Sequence, residues 1–163
     1  MNPALQPLVS VLTPVYNGEE YLAECIQSVL AQTYQNWEYC IVNNCSTDRT
    51  LEIAKAYAQK DRRIRIHNNS AFVGCDENGN IAFQNISSSS KYCKVIHSDD
   101  WMFPECLMKM VELAEAHPTI AIVSSYRLTN IRVTVQALPY ESRVISGRDI
   151  CRMTLLGVPT GFG

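Results

Sequence analysis

The chain has 163 residues, of which 47% are hydrophobic and 18% charged, and its formal net charge at pH 7 is −2. This composition is typical of a globular domain with a core, and it excludes a disordered chain. The charged residues are scattered and form no basic stripe, so we expect no nucleic-acid partner.

The first residues, Met1 to Pro7, lack the basic segment and apolar stretch of a signal peptide, and no run reaches the roughly 18 apolar residues of a membrane span. We therefore expect a cytoplasmic protein, with peripheral contact at the inner face of the membrane left open. Seven cysteines without a Cys-x-x-Cys pair predict free thiols, most of them buried, rather than disulfides or a zinc site.

The first half of the chain alternates apolar runs with helical patterns. Leu8 to Val15 predicts a buried strand, and apolar residues from Tyr21 to Leu30 recur with helical spacing. Trp37 to Val42 predicts a second strand. A helix is then expected to begin near Ser46 or Thr47, both favourable N-caps, and Arg63 to His67 predicts a third strand with one wet face.

In the second half, Gly74 to Asn80 predicts a loop that leads into a helix through Asn85. Tyr92 to Ile96 predicts a fourth strand, and Pro104 suits the first turn of a further helix. Thr119 to Ser124 predicts a fifth strand, with a hairpin arm at Ile131 to Val135.

This alternation predicts an α/β fold, with a Rossmann-like, open, mainly parallel sheet and helices on both faces. Ligands of such sheets bind at the carboxyl ends of the strands. Polar clusters follow strands one, two and four, at Tyr16-Asn17, Asn43-Asn44 and Asp99-Asp100. We expect these clusters to form one site at that edge.

The usual phosphate-binding loops are missing: no Gly-x-Gly-x-x-Gly follows the first strand, and no Walker loop occurs. A divalent cation held by carboxylates is another way to neutralise phosphate, because a hard cation prefers oxygen ligands. Asp99-Asp100 could supply these ligands. The less favoured alternative is that Asp99 or Asp100 caps the helix that begins near Pro104.

Several motifs in order resemble the glycosyltransferase family 2. The chain carries Pro14-Val15-Tyr16-Asn17 at a strand end, Ser28 to Tyr34 closing a helix, and Ser46-Thr47-Asp48 after the second strand. Asn78-Gly79-Asn80 and Ser98-Asp99-Asp100-Trp101 with Pro104 match the later segment that carries the family's metal aspartate. The likeness runs from about Val9 to Val123 and implies the A-type glycosyltransferase fold.

The resemblance also implies roles for individual residues. Pro14, Val15 and Tyr16 would line the nucleobase slot, although Tyr16 could instead be a core residue at the strand end. Asn44 would read the base, Asp99 would contact the ribose or the sugar, and Asp100 would coordinate Mg²⁺ or Mn²⁺ on the diphosphate. Asn80 would orient the sugar, with a helix-capping or loop role as the alternative.

Two departures from the family pattern affect these roles. Asn43-Asn44 replaces the usual acidic pair, and an amide can donate to a ring carbonyl as well as accept, which blurs the choice of base. His97 replaces the first acid of the common Asp-x-Asp form, so metal binding depends on Asp100. His97 could complete the metal shell or be structural.

The resemblance implies transfer of a sugar, with inversion, from a nucleoside-diphosphate sugar (UDP-sugar favoured) to an acceptor hydroxyl in polysaccharide or glycolipid synthesis. The acceptor would be a carbohydrate or a lipid-linked molecule. We expect residues 1–163 to be a single nucleotide-sugar-binding domain that stops before the acceptor-binding part, with the catalytic base beyond Gly163. Asp149 is late enough to be considered, but Ser146 to Asp149 reads as a helix start. The alternative is a non-catalytic nucleotide-binding module.

Overall fold

The computed structural model describes residues 6–125, 127–129, 132–134 and 144–149. Its elements in chain order are β1 (Val9–Val15), α1 (Leu22–Leu30), β2 (Trp37–Asn43), α2 (Thr50–Ala58), β3 (Ile64–Asn68), α3 (Cys75–Gln84), β4 (Tyr92–Val95), α4 (Cys106–Ala116), β5 (Arg127–Thr129) and β6 (Arg132–Thr134). The chain divides into two compact units, Met1–Met108 and Lys109–Gly163.

The first unit contains a four-stranded sheet in the order β3-β2-β1-β4, and every neighbouring pair is parallel. The two central strands pair along their whole length, from Val9 opposite Trp37 to Val15 opposite Asn43. Their residues are almost all buried, as expected where both faces of a parallel sheet are covered. The predicted α/β fold with a parallel sheet is therefore confirmed.

Helices cover both faces of this sheet. Successive strand residues point to opposite sides, so each buried strand packs side chains against the helices on both faces. On one face, Leu12 and Cys40 pack with Ala82 of α3 in a buried apolar cluster. On the other face, Cys25 of α1 lies 3.6 Å from the Tyr39 hydroxyl, and α1 is tied to α2 by a 2.7 Å hydrogen bond from Gln27 to Tyr57.

Two helix starts differ from the sequence prediction. The second helix begins at Thr50 rather than near Ser46 or Thr47, because the Asp48 carboxylate accepts the Thr50 N–H at 2.9 Å and the preceding residues bind the loop after β1. The segment expected as a loop to Asn80 is helical from Cys75 onward. Acidic residues in its first turn favour the helix N-terminus and outweigh the turn-like glycine and asparagines.

The second unit departs further from prediction. Residues 119–124 form no strand in the described part of the chain, and Ile122 is 67% exposed, so the predicted fifth strand is wrong. An apolar run becomes a strand only where another strand pairs with its backbone. The hairpin arm is confirmed at β6, which pairs antiparallel with β5, while Ile131 and Val135 lie outside the described residues.

The described cysteines are all free, as predicted, but only Cys25 and Cys40 are buried, and Cys75 and Cys93 are exposed. Cys151 lies outside the described residues. Within the described residues, no helix has the length and apolar character needed to cross a membrane.

Candidate functional site

The three polar clusters predicted from the sequence all follow the carboxyl ends of strands in one parallel sheet. Tyr16 follows β1, Asn44 follows β2, and Asp99 and Asp100 lie a few residues after β4. Parallel strands end at the same edge, so the fold places these side chains on one edge of the sheet. We call Tyr16, Asn44, Phe72, Asp99 and Asp100 the carboxyl-edge site.

The loop after β1 is fastened to the loop after β2. Asn17 has a positive φ of 49°, which Asn tolerates better than most residues. Its backbone N–H donates to the Ser46 hydroxyl at 3.0 Å, and its side-chain oxygen accepts the Thr47 N–H at 2.8 Å. These two hydrogen bonds join Asn17 to the Ser46-Thr47 dipeptide, so both motifs have a structural role in this connection.

Asp48 has a structural role in the same connection. Its carboxylate accepts the backbone N–H groups of Glu19 at 3.0 Å and Thr50 at 2.9 Å, and the Thr50 hydroxyl at 2.5 Å. Burial opposes its charge, but the hydrogen bonds from Thr50 and Glu19 outweigh that cost and lower the pKa of the Asp48 carboxyl. The Ser-Thr-Asp motif therefore holds the two loops together.

Asn44 is buried and clamps the loop that follows β3. Its side-chain amide pairs with both backbone groups of Val73, donating to the carbonyl at 2.8 Å and accepting the N–H at 3.0 Å. The same oxygen accepts from the Asn69 amide at 3.0 Å. Asn69 also donates to the buried Asn78 at 2.9 Å, so Asn44 after β2, the loop after β3 and α3 form one network.

The loop held by Asn44 carries Phe72, which packs edge-on against Tyr16 with ring centroids 4.8 Å apart. Tyr16 is 49% exposed and Phe72 61% exposed, so Tyr16 is no core residue. The two rings present an aromatic surface at the edge of the sheet. Phe72 was missed in the sequence because a single aromatic residue in a loop belongs to no periodic pattern.

Gly18 brings the loop after β1 against the loop after β4. A Cβ atom at Gly18 would lie 2.7 Å from Val15 Cγ2 and 3.1 Å from the Ser98 hydroxyl oxygen, closer than atoms normally pack. Ser98 directly precedes Asp99 and Asp100 in the sequence. The absence of a side chain at Gly18 therefore lets the loop carrying the carboxylates approach the loop carrying Tyr16.

Gly18→Ala is expected to destabilise the chain by about 1–3 kcal/mol, because the added methyl group forces Val15 or Ser98 to move. The matched control is Gly79→Ala. Gly79 lies inside α3 with nothing within 4 Å of an added Cβ, so this change should stabilise by about 0.5–1 kcal/mol. Urea unfolding of both variants measures the difference. Equal stabilities for the two would contradict the close contact at Gly18.

Asp99 is exposed and Asp100 half-buried, and His97 beside them is also exposed. Within the described residues, no group of three or more His, Cys, Asp or Glu side chains could by itself hold a metal ion. Mg²⁺ usually needs only one or two carboxylates when phosphate oxygens and water complete its shell. The oxygen donors of Asp99 and Asp100 fit a cation shared with a phosphate ligand.

The remaining predicted site residues, Pro14, Val15 and Asn80, lie within β1 and α3. Pro14 is half-buried and Val15 is buried at the end of β1. Asn80 is exposed within α3, so it neither caps that helix nor lies in a loop.

Ser146 and Asp149 cap each other. The Ser146 hydroxyl donates to the Asp149 carboxylate at 2.6 Å and accepts the Asp149 backbone N–H at 3.1 Å. The helix start expected there is confirmed.

Several known proteins of similar sequence or structure are glycosyltransferases. The family model described as glycosyl transferase family 2 matches residues 10–156. A Bacillus subtilis glycosyltransferase named for teichuronic acid biosynthesis, TuaG, is 36% identical over 111 residues, which cover 66% of this chain and 42% of that protein. The chain spans 13%, 36% and 17% of the length of three other curated relatives.

Solved structures show the same fold. TarS of S. aureus (residues 1–349, in complex with UDP-GlcNAc) has a TM-score of 0.73 and 25% identity, covering 82% of this chain and 38% of that one. A mannosyltransferase of Pyrobaculum calidifontis, in complex with GDP-Man and Mn²⁺, has a TM-score of 0.64 and 22% identity, covering 72% of this chain and 35% of that one. The family match, the fold and the edge motifs agree, and the chain belongs to glycosyltransferase family 2.

Proposed function

We propose that the carboxyl-edge site binds a nucleoside-diphosphate sugar, with UDP-sugar favoured, for metal-dependent transfer with inversion to an acceptor hydroxyl. The observation that carries this proposal is the close approach of two loops at Gly18. One carries an exposed aromatic ring at Tyr16 and the other carries Asp99 and Asp100. A nucleoside diphosphate has a flat base at one end and a charged diphosphate at the other, which matches this pairing.

Each end of the donor has a proposed partner. The Tyr16 ring, supported by Phe72, offers an apolar face on which the base stacks, with Pro14 and Val15 forming the adjoining strand end. The Asn44 oxygen already accepts two hydrogen bonds, whereas its amide nitrogen carries two N–H groups and donates to the Val73 carbonyl. Asn44 therefore suits donation to a ring carbonyl better than acceptance from a ring N–H.

The two carboxylates are the proposed partners of the diphosphate and the sugar. Asp99 would accept a hydrogen bond from a hydroxyl of the ribose or the sugar. Asp100 would hold a Mg²⁺ or Mn²⁺ ion, whose charge would neutralise the diphosphate leaving group. Asn80 stays a predicted sugar contact. We place the catalytic base beyond Gly163, where it would take the proton of the acceptor hydroxyl.

Relatives support the substrate class. TarS was solved with UDP-GlcNAc, and the name of TuaG refers to teichuronic acid biosynthesis. We therefore favour a UDP-sugar donor and a carbohydrate or lipid-linked acceptor in polysaccharide or glycolipid synthesis. Cytoplasmic location and peripheral membrane contact stay predictions.

The proposed function is tested by calorimetric titration of UDP, GDP and dTDP into the chain with Mn²⁺ present. The proposal expects one of these to bind, with UDP the tightest. Tighter binding of GDP would overturn the preference for uracil. No binding of any of the three to a folded chain would reject a donor site in these residues and favour a module with another role.

Tyr16→Ala is expected to weaken UDP binding about tenfold, because stacking of a base on an aromatic ring contributes about 1–3 kcal/mol. Tyr16→Phe keeps the ring and serves as the control, with affinity close to the unchanged chain. Tyr16 is exposed, so neither change should lower the melting temperature appreciably. Equal affinities for the Ala and Phe variants would show that the base does not stack on this ring.

A further inference from the structure

The pairing of β4 with β1 ends just before the segment that carries the carboxylates. The Ile96 N–H donates to the Leu12 carbonyl at 3.0 Å. In a parallel ladder the next bond runs from the N–H of the β1 residue two positions on to the carbonyl of Ile96. That residue is Pro14, which has no N–H. The backbone of β1 therefore cannot hold the Ile96 carbonyl.

A side chain replaces the missing backbone donor. The Thr13 hydroxyl donates to the Ile96 carbonyl at 2.8 Å, and Thr13 is fully buried. Since its proton is used there, the Tyr39 hydroxyl, 2.8 Å away, donates to the Thr13 oxygen. Burial raises the pKa of Tyr39 well above its usual range, so this phenol stays protonated and remains a donor.

The next carbonyl along the chain is held in the same way from α1. The Cys25 thiol donates to the His97 carbonyl at 3.4 Å, and the Asp100 N–H donates to the same oxygen at 3.1 Å. Burial raises the pKa of the Cys25 thiol, which keeps its proton available. Two successive carbonyls before Asp99 are thus fixed by buried side chains of β1 and α1.

We infer that Thr13, backed by Tyr39 and assisted by Cys25, is a positioning residue that fixes where the segment from His97 to Asp100 leaves the sheet. Because Pro14 removes the ladder bond, the Thr13 hydroxyl determines the path of the two carboxylates toward the diphosphate. The inference rests on the proposed function for the part that concerns the diphosphate. Its structural part, the restraint of residues 97–100, stands on the hydrogen bonds alone.

Thr13→Val tests the inference, since it removes the hydroxyl with little change of shape. Loss of a partner that orients a metal ligand typically costs 10–100-fold in metal affinity. We expect the Mn²⁺-dependent gain in UDP affinity to fall about tenfold, while UDP affinity without metal is unchanged. Amide hydrogen exchange at Ser98, Asp99 and Asp100 should become faster. Thr13→Ser keeps the hydroxyl and should restore both properties.

Ser10→Ala provides the matched control for a purely structural role. Ser10 is an equally buried hydroxyl on β1, but it bonds Glu38 at 2.6 Å and Ser90 at 2.7 Å toward the opposite end of the strand. Its loss should lower the melting temperature without changing the metal-dependent gain or the exchange at residues 98–100. If it changed them as much as Thr13→Val does, the positioning role would be rejected.

Tyr39→Phe gives a second test that keeps the ring in the core. It removes the hydroxyl that donates to Thr13 and lies 3.6 Å from Cys25. We expect a loss of about threefold in the metal-dependent gain, with the same pattern of faster exchange. Unchanged exchange at residues 98–100 in both Thr13→Val and Tyr39→Phe would overturn the inference. If the unchanged chain binds no UDP, the proposed function fails separately, and the exchange measurements still decide whether Thr13 restrains this segment.

Discussion

Asp100→Asn is expected to abolish the gain in UDP affinity that Mn²⁺ provides, a loss of about 100-fold or more, equivalent to about 2.8 kcal/mol. The substitution keeps the size of the side chain but removes the negative charge that a hard cation prefers as a ligand. Calorimetric titration of UDP with Mn²⁺, and again with EDTA, measures the gain directly. The variant should retain the affinity that the unchanged chain shows in EDTA.

Asp99→Asn separates the two carboxylates. Asp99 is proposed to accept a hydrogen bond from a hydroxyl of the ribose or the sugar. Loss of the carboxylate charge should therefore weaken nucleotide-sugar binding by a similar factor with and without Mn²⁺. The gain from metal should survive. If Asp99→Asn abolished the gain and Asp100→Asn did not, the assignment of the metal to Asp100 would be wrong, although the site itself would stand.

Asn44→Ala is expected to destabilise the chain by about 2–4 kcal/mol. The side chain makes three hydrogen bonds in a buried position, two to the backbone of Val73 and one to Asn69, and each is worth about 0.5–1.5 kcal/mol. The same change frees the loop that carries Phe72, so UDP affinity should also fall. Urea unfolding followed by titration of the folded variant measures both effects.

Asn43→Ala is the control for this substitution. Asn43 is buried to the same extent, but it makes longer side-chain bonds, to Asn68 at 3.2 Å and from the Ser46 N–H at 3.3 Å, and neither leads to Phe72. It should cost less stability and leave UDP affinity nearly unchanged. A larger loss of stability at Asn43 than at Asn44 would contradict the clamp at Val73.

The sequence predicted the first four strands to within a residue or so. Three of them are mainly apolar runs bounded by polar turns, and the third, Arg63 to His67, alternates apolar and polar residues. Prediction was poorer where local signals conflicted. The start of α3 contains Asn78 and Gly79, which favour turns in isolation, yet Asn78 is buried and bonded to Asn69 in the fold. The predicted strand at residues 119–124 was apolar enough but depended on pairing that a linear pattern does not reveal.

The site was predictable to the extent that topology determined it. Residues after the ends of parallel strands meet at one edge, and this rule placed Tyr16, Asn44, Asp99 and Asp100 there without coordinates. It gave no information about which atoms remain available for a ligand. The hydrogen bonds of Asn44 to Val73 depend on a loop whose path is set by long-range contacts, and so does the pairing of Phe72 with Tyr16.

We have proposed that a divalent cation and a nucleoside diphosphate bind together at the carboxyl edge of the sheet. Paramagnetic broadening of backbone amide resonances by Mn²⁺, recorded with and without UDP, tests the location of the ion most directly. We predict that with UDP the amides of Asp99, Asp100 and Gly18 broaden first, and that Mn²⁺ alone has a much weaker effect. Broadening that is independent of UDP and centred on carboxylates away from this edge, such as Glu52 or Asp61, would show that the cation does not bind at Asp100.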